Sequence, residues 1–116
     1  MTLRLTPEIL EGAYEFLRAT PPFNRWKLPP ADEVQFRVMH SREWMGQYTY
    51  AAGEHVIDIS SRLVGHTGTL IETMAHEMTH LALQESGQAD KSEHGERFER
   101  CAARVARLHG FDPKRF

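Results

Sequence analysis

Cysteine is almost missing from this chain. Cys101 is the only one in 116 residues, which excludes an internal disulfide and any Cys-rich metal knuckle or ribbon, and leaves Cys101 to be read as a small buried residue of a helix. Long apolar runs are missing too: nothing approaches the roughly 20 residues that a bilayer crossing requires, so no membrane protein is expected. The opening stretch MTLRLTPEIL holds no apolar core followed by a small-residue cleavage site, and no secretory leader is read there. Internal repeats and low-complexity segments are absent. Charge of one sign is also scarce, since a net charge of −2 argues against indiscriminate nucleic-acid binding. That charge is uneven, however: residues 91–116 carry +3 and the remainder −5. The length suffices for one domain with a real core, spanning 1–116.

What is present divides into helical and strand-like stretches. TPEILEGAYEFLR begins with a good N-cap in Thr6, a proline at the first helical position and Glu8 at the positive end of the dipole; Ile9, Ala13, Phe16 and Leu17 are expected to form its core face. TPPFNRWKLPP, with four prolines, can only be a connector, pinned to the core by Phe23 and Trp26. Three strands are expected at Val34–Val38, Trp44–Tyr50 and His55–Ser60, the last two joined by a hairpin turn at AAGE around Gly53. GTLIETMAHEMTHLALQESG reads as a long helix closed by Gly87. GERFERCAARVARLHG reads as a final helix, with Phe98, Cys101, Ala102, Val105 and Leu108 on one stripe and Gly110 at its end. Together these predict an α+β fold with a three-stranded, mostly antiparallel sheet.

The stretch MAHEMTHLAL sets two histidines and a glutamate inside five positions of an apolar run. At about 100° per residue, His76 and His80 lie one turn apart, away from Leu70, Ile71, Met74, Ala75, Met78, Leu81 and Ala82. Two imidazoles so spaced can bind one zinc ion, with Glu77 placed to accept a proton from an activated water. Shuffling this composition produces His-Glu-x-x-His in only ~0.04 matches per chain. Catalytic zinc usually has three protein ligands. Leu83 and Ser86 stand where the metzincin continuation needs Gly and His, which excludes that class. Of the downstream candidates His94, Glu93, Glu96 and Glu99, His94 is preferred, because a chain reversal after Gly87 can swing it back. The glutamates have a plainer use in i, i+4 pairs, Glu93 with Arg97 and Glu96 with Arg100.

HEMTH, a 13-residue spacer and HGERF together resemble the HEMxH…HGxxF pattern of the SprT-like zinc metallopeptidases, the family that includes the Spartan protease domain. FNRWKLP, WMGQYTY, AAGEHVIDIS and LIETMAHEMTH follow in the same order, so the resemblance covers about residues 10–112. It implies a zincin-like single domain with His76, His80 and His94 as ligands of one Zn2+ per chain, the third carried by the C-terminal helix, and Glu77 as the catalytic general base. Many members carry a C-terminal Cys-rich zinc ribbon or a DNA-binding extension. With one cysteine and an end at Phe116, the chain is expected to lack them, which weakens the implied link to DNA-protein crosslink repair.

The expected function is a zinc-dependent endopeptidase acting on a protein or peptide substrate, cytoplasmic or nucleoid-associated. The alternative is a zinc-stabilised DNA- or protein-binding module with little hydrolytic activity; Glu77 favours the enzyme, since a structural site closed by four ligands has no need of a base. Tyr48, Tyr50, His55, His66 and Arg97 are open candidates for stabilising the oxyanion. HVIDIS is the run nearest the active helix that could pair with a substrate strand. Arg97, Arg100, Arg104 and Arg107 form a stripe suited to weak DNA contact, or to a solvated helix face.

Overall fold

The computed structural model describes residues 3–116; residues 1 and 2, the start of the stretch read for a leader and of the expected 1–116 domain, lie outside the described residues. Helix α1 (Pro7–Arg18) starts as its capping sequence dictates, with Thr6 Oγ1 accepting from the Ile9 N–H at 3.2 Å. Its buried face is Leu10, Ala13, Tyr14 and Leu17, one step round from the expected face. Phe16 is 58% exposed and Ile9 only partly buried. The difference comes from Tyr14, whose hydroxyl donates to Pro29 O at 2.6 Å and whose ring meets Phe36 edge-on at 5.3 Å. With its polar end satisfied, a tyrosine is a better core residue than the reading of the stripe allowed. The proline-rich connector is pinned as expected: Phe23 is fully buried, Trp26 meets it edge-on at 5.4 Å, and His109 approaches from the far end of the chain.

Strands β1 (Val34–Met39), β2 (Gly46–Ala51) and β3 (Glu54–Ser60) form one sheet in the order β1-β3-β2. The pair β2–β3 is antiparallel and the pair β1–β3 parallel, so the sheet is mixed. The tight turn between β2 and β3 has positive φ at both Ala52 (53°) and Gly53 (78°), the twist that suits a two-residue hairpin. Burial explains why β3 takes the centre. Ile57 and Ile59 are fully buried on the helix side, while Asp58 and Ser60 are buried on the reverse, so this strand needs neighbours on both edges and cover on both faces. Arg37, directly opposite on β1, covers Asp58 with two bonds of 2.6 and 3.0 Å.

Helix α2 (Thr67–Glu85) and α1 pack on the face that carries Phe36, Val38, Tyr48, Ile57 and Ile59. Helix α3 (Glu96–His109) buries Phe98, Ala102, Val105 and Ala106. Here too the stripe differs from the expected one: Cys101 is only half-buried and Leu108 is 48% exposed, while Ala106 is buried, so the covered face lies further round the helix. Gly87 and Gly110 end their helices at φ of 74° and 76°, the left-handed region where glycine carries no penalty. Among the described residues no helix is long and apolar enough to cross a membrane.

The position of the α1 face has a direct test. Leu17→Ala should lower unfolding free energy by about 2–5 kcal/mol, whereas Phe16→Ala should stay within about 0.5 kcal/mol. Urea denaturation of the two variants measures this, and equal losses would contradict the observed face.

Candidate metal centre

His76 and His80 project from successive turns of α2 with ring centroids 5.1 Å apart. His94 arrives from the turn before α3, two residues ahead of the helix rather than on it. One nitrogen from each of the three imidazoles lies within 4.8 Å of the others, and Nε2 of His76 and of His94 are 3.2 Å apart. Two nitrogens bound to one tetrahedral metal at about 2.0–2.1 Å would stand roughly 3.4 Å from one another, so the spacing fits a shared ion.

Protonation is arranged to match. The Nδ1–H of His76 donates to the main-chain oxygen of Phe116 at 3.0 Å, which leaves Nε2 with a free lone pair. Nε2 of His80 is buried without any hydrogen-bond partner among the described residues. Burial lowers the pKa of both rings, with the neighbouring imidazoles adding to it; for His80 the value falls to about 4. Imidazole nitrogens that converge on one point are what a borderline-soft cation such as zinc takes as ligands.

Residues 14–115 match the model of the SprT-like family. The chain belongs to the SprT-like family. A search of curated proteins found no match. Membership makes this a metallopeptidase-like domain. In this SprT-like chain the glycine of HGERF is also the N-cap of α3.

Glu77 faces the same region. Its side chain is 5% exposed and lines a cavity of about 280 Å3 together with His76, Thr73 and Gly46. A Cβ on Gly46 would stand 2.7 Å from Thr73 Cγ2 and 3.0 Å from Glu77 Oε2, so β2 can cross α2 this closely only with glycine there. Burial pushes the Glu77 carboxyl up to about 8, and the negative charges of Glu93 and Asp58 push in the same direction.

Phe98, on the apolar stripe read for the last helix, packs α3 onto α2 against Leu83. It also forms the apolar wall of the histidine cluster. Its ring stacks on His80 at 4.2 Å and on His94 at 4.7 Å, and is tilted against His76 at 4.9 Å. The i+4 spacing from His94 was the signal for this second role.

The oxyanion candidates disperse. The Tyr48 hydroxyl is 2.6 Å from Nδ1 of His55, whose Nε2 is 2.8 Å from Glu85, so both side chains are bonded away from the three histidines. Tyr50 lies against the His55 ring, and its hydroxyl makes no bond with the histidine cluster. His66 is the exposed N-cap of α2, and Arg97 donates to Gln88 O at 3.4 Å. Only Tyr48 and Tyr50 share a cavity with His80. The strand expected to receive substrate must also be corrected: β3 is central and both its edges are paired, whereas β2 is the free edge beside α2. Of the glutamates, Glu96 bonds Arg100 at 3.1 Å as expected, but Arg97 turns to Gln88 rather than to Glu93. Arg97, Arg100, Arg104 and Arg107 are all exposed along α3.

Two measurements follow. Zinc at about a thousand times its dissociation constant should stabilise the protein by about 4 kcal/mol over the chelated form, and His94→Ala should abolish most of that gain; equal melting with and without chelator would contradict a metal site. In metal-free protein, the raised pKa of Glu77 makes its contribution to stability greatest below 4.5, its ordinary value, and lost as pH rises to about 8. His80 acts oppositely, contributing above 6.5 and losing that contribution as pH falls towards about 4. The stability difference between wild type and Glu77→Gln isolates the first effect. Wild type should weaken relative to the variant between pH 5 and pH 8 in urea denaturation, and a flat difference would refute the assignment.

Proposed function

We propose that this SprT-like domain is a zinc-dependent endopeptidase, with His76, His80 and His94 holding the metal and Glu77 serving as general base. The observation that carries this reading is the place of Glu77, a buried carboxyl in a cavity wall beside the histidine cluster. A site that merely tied α2 to the turn before α3 would gain nothing from burying a second ionisable group there, and would lose stability by it.

Zinc, when bound, supplies Lewis-acid activation of water and of the scissile carbonyl. The chain does the rest. The free edge of β2 offers main-chain donors and acceptors to an extended peptide, which would lie along α2 above Glu77. Glu77 accepts the proton of the attacking water and passes it to the leaving amine, a transfer helped by a carboxyl whose proton affinity lies near neutrality. Phe98 keeps solvent from the flank of the imidazoles and holds their planes. The exposed arginine row on α3 supports substrates among DNA-associated proteins, held by weak phosphate contacts.

Glu77→Gln should retain zinc and the fold while lowering the rate of casein cleavage by about 10²–10⁴-fold. A variant that cleaves at the wild-type rate removes Glu77 as the base. A wild-type protein that binds zinc and cleaves no peptide favours a zinc-stabilised binding module instead.

A further inference from the structure

Helix α3 begins without a capping side chain of its own. Its N-cap is Gly95, and no side-chain bond from that position reaches the first turn. The acceptor comes from five residues upstream. Asp90 Oδ2 accepts from the Phe98 N–H at 3.0 Å, and Oδ1 accepts from the Arg97 N–H at 3.4 Å. These are the N3 and N2 groups that a capping Ser or Asp at position 95 would satisfy. The carboxylate also stands at the positive end of the helix dipole.

Glycine makes the arrangement possible by leaving space, not by adopting an unusual backbone, since its φ is −80°. A Cβ at position 95 would fall 2.6 Å from both Cβ and Cγ of Asp90 and 2.8 Å from its Oδ2. The Asp90 side chain therefore occupies the place a side chain at 95 would have taken, and the chain from 90 to 98 closes into a compact turn. His94 lies inside that turn, next to the glycine that Asp90 packs against. Phe98, whose N–H Asp90 receives, is the residue whose ring touches all three imidazoles.

We infer that Asp90 is the positioning residue for the third metal ligand: by capping α3 through the space left open at Gly95, it holds His94 and the Phe98 ring against His76 and His80. Asp90 is not itself one of the three clustered ligands, and acts through main-chain groups alone. The inference rests on the zinc reading above, and the experiment separates the two.

Zinc affinity is measured by competition with a chromophoric chelator for wild type, Asp90→Ala, Asp90→Asn and Gly95→Ala, with metal-free melting and the cobalt(II) absorption spectrum taken on the same samples. Asp90→Ala is expected to weaken zinc binding by about 10–100-fold and to alter the cobalt spectrum. Asp90→Asn keeps an acceptor oxygen and should remain within about threefold of wild type. Gly95→Ala should weaken binding in the wild-type background and do so less when added to Asp90→Gly, measured alongside as a single and a double variant, because the two side chains compete for one space. Wild-type zinc affinity and cobalt spectrum in Asp90→Ala, even with a lower metal-free melting temperature, would make Asp90 a helix cap only and overturn the inference. Should that variant fail to fold, a loss in Asp90→Asn of 10-fold or more, or an equal effect of Gly95→Ala in both backgrounds, would overturn it as well. A wild-type chain that takes up no zinc would overturn the metal reading and this one with it, whereas zinc uptake indifferent to these changes would overturn this one alone.

Discussion

A buried polar nitrogen without a partner costs a folded protein about 1–3 kcal/mol, and this chain carries one at His80. Around that nitrogen the two other imidazoles are gathered, one with its tautomer set by the main-chain oxygen of Phe116. Such an arrangement makes no sense as packing. Aromatic rings would serve the contact between α2 and α3 without the desolvation, as Phe98 already does. The strain is relieved if a cation takes the three lone pairs, and most local features then become supports: the long uninterrupted α2, the reversal at Gly87, and the glycine start of α3.

The sheet contributes less to holding the histidines and more to presenting a surface beside them. Because β3 is buried on both faces it occupies the centre, and the hairpin leaves β2 at the margin, against α2. Gly46 brings that margin within contact distance of Glu77 and Thr73. Glu77 and the free edge are thus adjacent through the absence of one side chain. The same closeness excludes water from Glu77, which is why its carboxyl holds its proton so far above the ordinary range.

Much of this was legible in the amino-acid order. Helix limits were readable because Thr6, Pro7, Gly87 and Gly110 are local signals, needing only their neighbours to act. The three histidines were readable because ligand chemistry demands a residue type and the helical repeat demands a spacing. Strand order was not: which strand lies between the others depends on summed burial across the fold, and a short linker at 40–45 says nothing of what later slides into the gap. Tyr14 and Phe16 show the same limit, since a hydroxyl's fitness for the core depends on Pro29, distant in sequence. The role of Asp90 was hidden for a related reason. A cap supplied from five residues away follows no fixed motif, and Gly95 looked like half of a signature rather than a vacancy for another side chain.

The spacing of His80 and His94 has a consequence for chain entropy. They stand fourteen residues apart, so an ion joining them closes a short loop, and in the chain-entropy view a crosslink spanning about 15 residues removes about 3 kcal/mol of freedom from the unfolded ensemble. A chain with a single cysteine has no covalent means of doing this. With a cation bound, the histidine cluster would give it a reversible staple instead, one whose fastening depends on metal supply and pH rather than on the redox state of its surroundings.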